Sequence, residues 1–374
     1  MKIGIFGGTF APAHNGHVNM AKCAINQLQL DKLIVMPNGL PPHKECILDK
    51  NDRFAITELA FGDIPNVEIS HYEIEKDGAN YSYETLEHLR SLYLFDELYF
   101  VIGGDSLKDF CLWKNPRQIA SVATLVVADR GVKISSEYLQ KIKNDYFAKI
   151  IFLDFQPIPI SSSKIRFRYR FGDDNSEYLP KAVDEYIKKK GLFKDSLKKV
   201  KTLKTLLEEK RFWHTKSVVE AGLDFARANG ISEEKAFLAC LLHDCGKNIP
   251  VEKWVDYGFS NQEELLPPIL HSGLGVLVAQ IDFGINDNEI LDAIRFHTTA
   301  KPQMSSLAML VFVADKAEKT RRYDTAEYYS LALTNLEKAF KKVLYDMYII
   351  ALNKYGAKNV DKTTLSALKY YKLI

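Results

Sequence analysis

No apolar run in the 374-residue sequence approaches the roughly 18 residues that a membrane span requires, so no transmembrane helix is expected. Cysteine is scarce as well. The five cysteines, Cys23, Cys46, Cys111, Cys240 and Cys245, are odd in number, scattered, and contain no C-x-x-C pair. That argues against structural disulfides and a thiolate zinc site, and for a reducing compartment. Excess charge of either sign is missing: 50 Lys and Arg against 48 Asp and Glu leave a formal +2. Neither a nucleic-acid polymer nor a membrane surface is therefore expected as a partner, although a small phosphate site would barely move that figure. Repeats and low-complexity segments are absent. The opening Met1-Lys2-Ile3-Gly4-Ile5-Phe6 reads as a strand rather than a signal peptide, so the expected location is the cytoplasm. What remains, 47% hydrophobic and 26% charged residues, is the composition of an ordinary soluble globular protein. The length allows two domains, or three, each with its own core.

Up to about residue 194, short apolar runs alternate with helical stretches. The strand candidates are 2–6, 32–36, 67–70, 98–102, 124–128 and 150–153, and 82–94 reads as a helix with Leu86, Leu89 and Tyr93 on one face. Such alternation predicts an α/β, Rossmann-like, doubly wound and mostly parallel sheet. Beyond the lysine-rich stretch at 188–204, read as a solvated helix surface and a join, no strand is predicted. Helical spacing covers 197–212, 214–229, 232–244, 288–297, 305–320 and 325–353. The expectation is an α/β domain over 1–195 and an all-α domain over 196–374.

The first strand runs into Gly7-Gly8-Thr9-Phe10-Ala11-Pro12-Ala13-His14-Asn15-Gly16-His17. Ligands of parallel sheets bind beyond the carboxyl ends of the strands. Two glycines there let main-chain amides approach a polyphosphate, and the following helix offers its N-terminus to an anion. The string is neither a P-loop nor a dehydrogenase G-x-G-x-x-G. On its own, H-x-G-H reads better as satisfied turn residues. A second candidate lies at Ser161-Ser162-Ser163-Lys164-Ile165-Arg166, where serines open a helix with a basic residue one turn in.

Together these motifs resemble the nucleotidyltransferase superfamily, and within it bacterial nicotinate-nucleotide adenylyltransferase. The resemblance spans residues 1–194 and takes in Met36-Pro37, Pro41-Pro42-His43-Lys44, Tyr81-Ser82-Tyr83-Glu84-Thr85-Leu86, Gly103-Gly104-Asp105-Ser106 and Trp113. It implies attack of the nicotinate mononucleotide phosphate on the α-phosphorus of ATP, with Mg²⁺ carried by the nucleotide. By the same resemblance His14, His17, Lys44 and Arg166 steady the phosphates, Asp105 contacts ribose, and Trp113 and Thr85 line the pyridine pocket. Gly7, Gly8, Thr9, Phe10, Gly104, Ser161 and Ser162 complete the implied nucleotide site. One departure stands out: the family usually has Asp where this chain has Ala11, which implies altered support of the loop. The preference between nicotinate and nicotinamide mononucleotides follows from the resemblance alone.

Past residue 195 the sequence holds His214, His243, His271 and His297, with Asp244 directly after His243 and Asp315 further on. His214 shares a stripe with Val218, Ala221 and Phe225, His297 follows Ile290 and Ile294, and Asp315 continues Leu307 and Val311. One histidine on an apolar stripe is usually a hydrogen-bonded core residue. Four histidines and two aspartates on separate stripes are better satisfied by converging on a cation. The H…HD…D pattern, with Leu241-Leu242-His243-Asp244-Cys245-Gly246-Lys247, His297-Thr298-Thr299 and Ala314-Asp315-Lys316-Ala317-Glu318, resembles the YqeK branch of HD-domain hydrolases, which cleave diadenosine tetraphosphate symmetrically. The resemblance implies that His214, His243, Asp244 and Asp315 hold one metal, and Asp244, His271 and His297 a second, about 3.5–4 Å apart. Mixed imidazole and carboxylate ligands suit Fe or Mn; the resemblance favours iron, and zinc stays open. Lys247 and Arg321 are candidate phosphate partners with an equal claim to being solvated; for Arg322 solvation is the better reading. Implied substrates are ATP, nicotinate mononucleotide and dinucleoside polyphosphates. Another nucleotide substrate, or a regulatory ligand-sensing role for the second half, stays open, as does a homo-oligomer.

Overall fold

Alternate residues of the first strand feed two different cores, and that sets the architecture of the first half. In the computed structural model, Ile3 and Ile5 pack with Ile34, Met36, Leu98, Phe100, Ile102, Leu125 and Val127 on one face of the sheet. Phe6 packs with Leu33, Val35, Val101 and Val126 on the other. Strands buried on both faces are what helix-covered parallel sheets require. The structure describes residues 1–40, 47–129, 131, 134–260, 266–356 and 360–374.

The chain divides into two units, Met1–Asp195 and Ser196–Ile374. In the first, strands β1 (Lys2–Gly8), β2 (Lys32–Pro37), β3 (Val67–Ile69), β4 (Glu97–Gly103), β5 (Thr124–Ala128) and β6 (Ile150–Phe152) form one sheet. Their order is 3-2-1-4-5-6 and every pairing is parallel. The order reverses between β1 and β4, so a crevice opens beyond Gly8 and Gly103, where such sheets take their ligands. All six expected strands are present, with ends shifted by no more than two residues. The helix expected over 82–94 is Ser82–Leu92.

The second unit contains no strand among its described residues. Its helices are Leu197–Leu206, Glu209–Asn229, Glu233–Leu242, Leu270–Phe283, Asn288–Phe296, Ser306–Ala317, Ala326–Thr334, Leu336–Tyr355 and Lys362–Tyr370, with short 3₁₀ turns at Val251–Tyr257 and Pro267–Ile269. Side-chain caps set several starts: Ser232 accepts from Lys235 N, Ser305 from Ala308 N, and Asp287 from Glu289 N. Three expectations need correction. The expected helix 325–353 is two helices, because Asn335 adopts an extended conformation and caps the second through Lys338 N. The helix carrying His214 begins earlier, at Glu209, so Arg211 lies on it. Helices Leu270–Phe283 and Lys362–Tyr370 were not anticipated.

Candidate functional site

In the first unit the two motifs meet, although about 150 residues separate them. Arg166 Nη1 donates to Ala11 O at 2.8 Å and Ser162 Oγ to Pro12 O at 2.9 Å. The loop after β1 is thus held through its carbonyls, which any residue at position 11 supplies. Ser161 caps helix Ser162–Phe171 through Lys164 N, and His14 caps helix Asn15–Leu28. Neither first turn contains an acidic residue, so both positive helix ends are left for an anion. The His14 and His17 rings stack with centroids 3.7 Å apart. His14 N–H donates to His17 Nδ1 at 3.3 Å, which leaves the His17 proton on Nε2 as a donor. Gly7 is exposed, and Gly8 and Thr9 are half-buried at the strand end. A Cβ on Gly8 would come within 2.8 Å of the Phe10 ring. Phe10 itself is 2% exposed and packs edge-on against Phe6 and Phe61, which makes it part of the core beneath the loop.

The other residues expected at this site lie on the chain after β4 and on neighbouring helices. Gly104 opens a short helix directly after β4, and Asp105 is exposed on it. Trp113 is half-buried, 6.2 Å from Phe100 and 5.8 Å from Phe110 between ring centroids. Thr85 is buried and its hydroxyl donates to Glu73 Oε1 at 2.6 Å. Burial pushes the Glu73 carboxyl above its ordinary value, against the opposing hydrogen bond from Thr85. Lys44 lies outside the described residues. Sequence reading passed over Arg53, a buried guanidinium that donates to the carbonyls of Asn38 and Gly39 and so pins the chain leaving β2.

In the second unit, five elements aim imidazoles and carboxylates at one point. His214 comes from helix Glu209–Asn229, and His243 and Asp244 from the end of helix Glu233–Leu242. His271 belongs to helix Leu270–Phe283, His297 closes helix Asn288–Phe296, and Asp315 lies on helix Ser306–Ala317. Gly246 allows this turn to seat: a Cβ there would lie 2.7 Å from both Gly275 N and His271 O, with no room for the main chain to yield. Ligand atoms of His214, His243 and Asp244 lie within 4.8 Å of one another, as do those of Asp244, His271 and His297. Asp315 Oδ1 is 3.1 Å from His214 Nε2 and 3.8 Å from His243 Nε2.

The donor chemistry fits a cation pair. His243 Nδ1 and His297 Nδ1 each face a main-chain carbonyl, Cys240 O and Ile294 O, at 2.7 Å. His214 Nδ1 faces Glu318 Oε1 at 3.0 Å. Each Nδ1 must therefore carry the proton, which frees Nε2 to ligate. His214 Nε2 and His243 Nε2 are buried and make no hydrogen bond; with the proton on Nδ1, His214 Nε2 and the Asp315 carboxylate 3.1 Å away are both acceptors. His271 Nε2 and His297 Nε2 point at each other across 3.2 Å. Burial alone would raise Asp244, but His243, His271 and His297 overrule it and hold the carboxyl well below the usual range. Asp315 is likewise held down against burial, by Lys316, His214 and Arg321. Burial pushes His297 down to about 4, so it is neutral and ready to ligate near neutral pH.

The sequence matches the cytidylyltransferase-like family over residues 5–168 and the HD domain over 211–320. A probable nicotinate-nucleotide adenylyltransferase/Ap4A hydrolase of Mycoplasma genitalium is 32% identical over 356 residues, covering 94% of this chain and 97% of the relative. The chain belongs to this family of fused proteins. Its first half alone is similar to a probable nicotinate-nucleotide adenylyltransferase of Clostridium tetani, 42% identical over 198 residues, 52% of this chain and 99% of the relative. Among solved structures, a predicted HD superfamily hydrolase involved in NAD metabolism from Clostridium acetobutylicum is 30% identical with a TM-score of 0.43, over 47% of this chain and 96% of that one.

The HD match in this member of the fused family spans all six candidate ligands and three charged residues that sequence reading left unassigned. Arg211 Nη1 pairs with Asp244 Oδ2 at 2.9 Å, Lys316 Nζ with Asp315 Oδ2 at 2.8 Å, and Glu318 with His214. Arg211 and Glu318 each sit three positions from a candidate ligand, His214 and Asp315, and that spacing was the available signal. Arg321 folds back on the Asp315 carboxylate and donates to Asp315 O at 2.8 Å. Lys247 Nζ lies 3.0 Å from His271 Nδ1. Arg322 is exposed.

Proposed function

We propose that this chain is a bifunctional enzyme: it joins ATP and nicotinate mononucleotide to give nicotinate adenine dinucleotide and pyrophosphate, and it splits diadenosine tetraphosphate symmetrically into two ADP. The observation that carries the reading is the pair of sites, a polyphosphate cradle and a histidine–aspartate cluster, in a chain 32% identical to a relative named for both activities.

In the first reaction an oxygen of the mononucleotide phosphate attacks the α-phosphorus of ATP as the bond to the pyrophosphate oxygen breaks. The residues position and neutralise rather than react. Amides at Gly7–Thr9, the His17 Nε2 proton and the Arg166 guanidinium face the triphosphate, with His14 stacked behind His17. Asp105 and Trp113 hold the ribose and pyridine of the acceptor.

In the second reaction one water is added across the central P–O–P linkage. His214, His243, Asp244 and Asp315 hold one divalent cation, and Asp244, His271 and His297 the other. Two such cations, when bound, polarise phosphate oxygens and lower the pKa of water. The ligand mixture suits iron, with manganese as the nearest substitute. The Nδ1 contacts to Cys240 O, Ile294 O and Glu318 keep the rings in the ligating tautomer before any metal arrives.

The test is full-length protein with ATP, nicotinate mononucleotide and Mg²⁺ in one assay, and with diadenosine tetraphosphate in another. Nicotinate adenine dinucleotide and ADP, respectively, are expected. Asp244→Ala should abolish only the second activity, and the same variant given ATP and Mg²⁺ should show whether the first site makes dinucleoside polyphosphate. AMP and ATP as hydrolysis products, or equal loss of both activities in Asp244→Ala, would overturn the assignment.

A further inference from the structure

Glu73, on the short helix Tyr72–Glu75 of the first unit, is a buried carboxyl without a counter-ion. Among the described residues its side chain bonds only to the Thr85 hydroxyl, at 2.6 Å. The cations around it are engaged elsewhere: Lys76 pairs with Glu84, Lys50 donates to Ile74 O at 3.3 Å, and Arg53 takes the carbonyls of Asn38 and Gly39. Of the remaining titratable groups, His71 stacks on Phe54, His88 stacks on Tyr72, and Glu75 is exposed. A carboxylate here would forfeit its hydration without compensation. Burial accordingly pushes Glu73 above its ordinary value, against the pull of Thr85 and Lys76. Beside it, Asn80 Nδ2 is buried and makes no hydrogen bond, while Asn80 Oδ1 accepts from Leu40 N at 2.6 Å. The two residues close on Gly39 together, where a Cβ would run into both Glu73 O and Asn80 Oδ1. This corner holds an unmet donor, and no cation is paired with its one acid.

We infer that Glu73 is a specificity-determining residue for the acceptor mononucleotide: as a neutral acid behind Thr85, it makes the Thr85 hydroxyl a donor that selects a pyridine carboxylate over a pyridine carboxamide. Thr85 has one hydroxyl proton. An ionised Glu73 can only accept, so it takes that proton and leaves the hydroxyl with lone pairs, which suit the NH₂ of a carboxamide. A protonated Glu73 donates across the same 2.6 Å contact and releases the Thr85 proton. The other acceptor in reach, Tyr81 O, is 3.5 Å away and already takes Glu84 N and Thr85 N, so the freed proton is open to a ligand. A carboxylate gains more from it than an amide oxygen does, because the hydrogen bond is charge-assisted, and an ionised Glu73 would repel that carboxylate. The start of the helix bearing Thr85 abuts the loop bearing Trp113. Leu86 and Trp113 share one apolar cluster, and Lys114 Nζ lies 4.0 Å from the centre of the Tyr81 ring.

This role depends on the adenylyl-transfer reading of the first unit, and one assay separates the two. Full-length protein with ATP and Mg²⁺ is given nicotinate or nicotinamide mononucleotide between about pH 5 and 9, and the ratio of the two kcat/KM values is followed. Both substrates carry the same phosphate, so its titration cancels in the ratio. Wild-type protein should favour nicotinate most strongly at low pH. The ratio should fall as pH rises through the native value of Glu73, by about 10- to 100-fold, the range for a hydrogen bond to a charged group. The change should fall on KM rather than kcat. Glu73→Gln holds no charge at any pH and should give a flat ratio; Thr85→Val keeps the shape, loses the hydroxyl, and should give a flat and lower one. A wild-type ratio indifferent to pH, or one that still titrates in Glu73→Gln or Thr85→Val, would overturn the role of Glu73 and leave adenylyl transfer standing. So would equal losses on both substrates in Glu73→Gln, since Glu73 would then only support the fold. No dinucleotide from either substrate in the wild type would remove the adenylyl-transfer reading, and this role with it.

Discussion

Replacing Glu318 by glutamine keeps the size of the side chain and removes its charge. Glu318 is 1% exposed, and its contacts include His214 Nδ1 at 3.0 Å, Thr320 Oγ1 at 2.7 Å, Thr320 N at 2.5 Å and Arg321 Nε at 3.6 Å. Against burial, which opposes ionisation, His214, Ser217 and Thr320 draw its carboxyl down to about 2, so it is an acceptor only near neutral pH. His214 must then keep its proton on Nδ1 and offer Nε2 to a cation. An amide has both a donor and an acceptor end, so Glu318→Gln permits the opposite tautomer, with a proton on the ligating nitrogen. Partners of this kind are worth about 10- to 100-fold in metal affinity, or about 1.4–2.8 kcal/mol. Glu318 is almost fully desolvated, so the upper half of that range is expected. His214 belongs to only one of the two ligand groups, so one binding event should weaken and the other persist. The assay is manganese titration of metal-stripped full-length protein by calorimetry, with adenylyl transfer as the control for folding. Unaltered affinity at both positions would refute the reasoning, and so would equal weakening of both.

Two further outcomes follow from the first unit. Folding raises the Glu73 carboxyl, so the native state holds a proton that the unfolded chain gives up; the stability this brings is complete below the unfolded value of about 4.3 and is lost as pH rises through the native value. Glu73→Gln retains an acceptor for Thr85 and should flatten that fall, read by urea unfolding at about pH 4, 6 and 8; an unchanged pH profile counts against it. Trp113→Ala should raise KM for the mononucleotide far more than KM for ATP, by the about 1–3 kcal/mol of a lost ring stack, whereas equal effects on both substrates would reduce Trp113 to packing.

The sheet was legible because its signal is one-dimensional. Apolar runs such as Leu33–Met36 and Leu125–Val127 are buried on both faces, and their alternation with helical stretches leaves little choice of topology. Helix Leu270–Phe283 was not legible. Its Leu-Gly-Val-Leu-Val-Ala core is apolar nearly all round and interrupted by glycine, so it presents no stripe for a 3.6-residue period to detect. The division of 325–353 was hidden for another reason: Asn335 is an unremarkable residue mid-helix until its side chain is seen to cap the next helix.

The two sites differ in the same way, and the difference explains which residues were found. The candidate ligands announce themselves by type, because an imidazole on an apolar stripe needs a reason to be there. Charged residues that serve those ligands do not, because Glu318 and Arg211 read like any solvated helix surface until the fold shows one almost fully buried and the other facing Asp244. In the first unit much of the proposed phosphate cradle is main chain, on a loop held by Arg166 and Ser162 through the carbonyls of Ala11 and Pro12. The contact from Arg166 is to the Ala11 carbonyl, so it does not depend on which side chain stands at position 11. A site built from amides needs the loop's path rather than its side chains, and that path is secured from a helix about 150 residues away. Weakening Arg166 should therefore disturb the cradle more than any change at Ala11 that still fits its buried position.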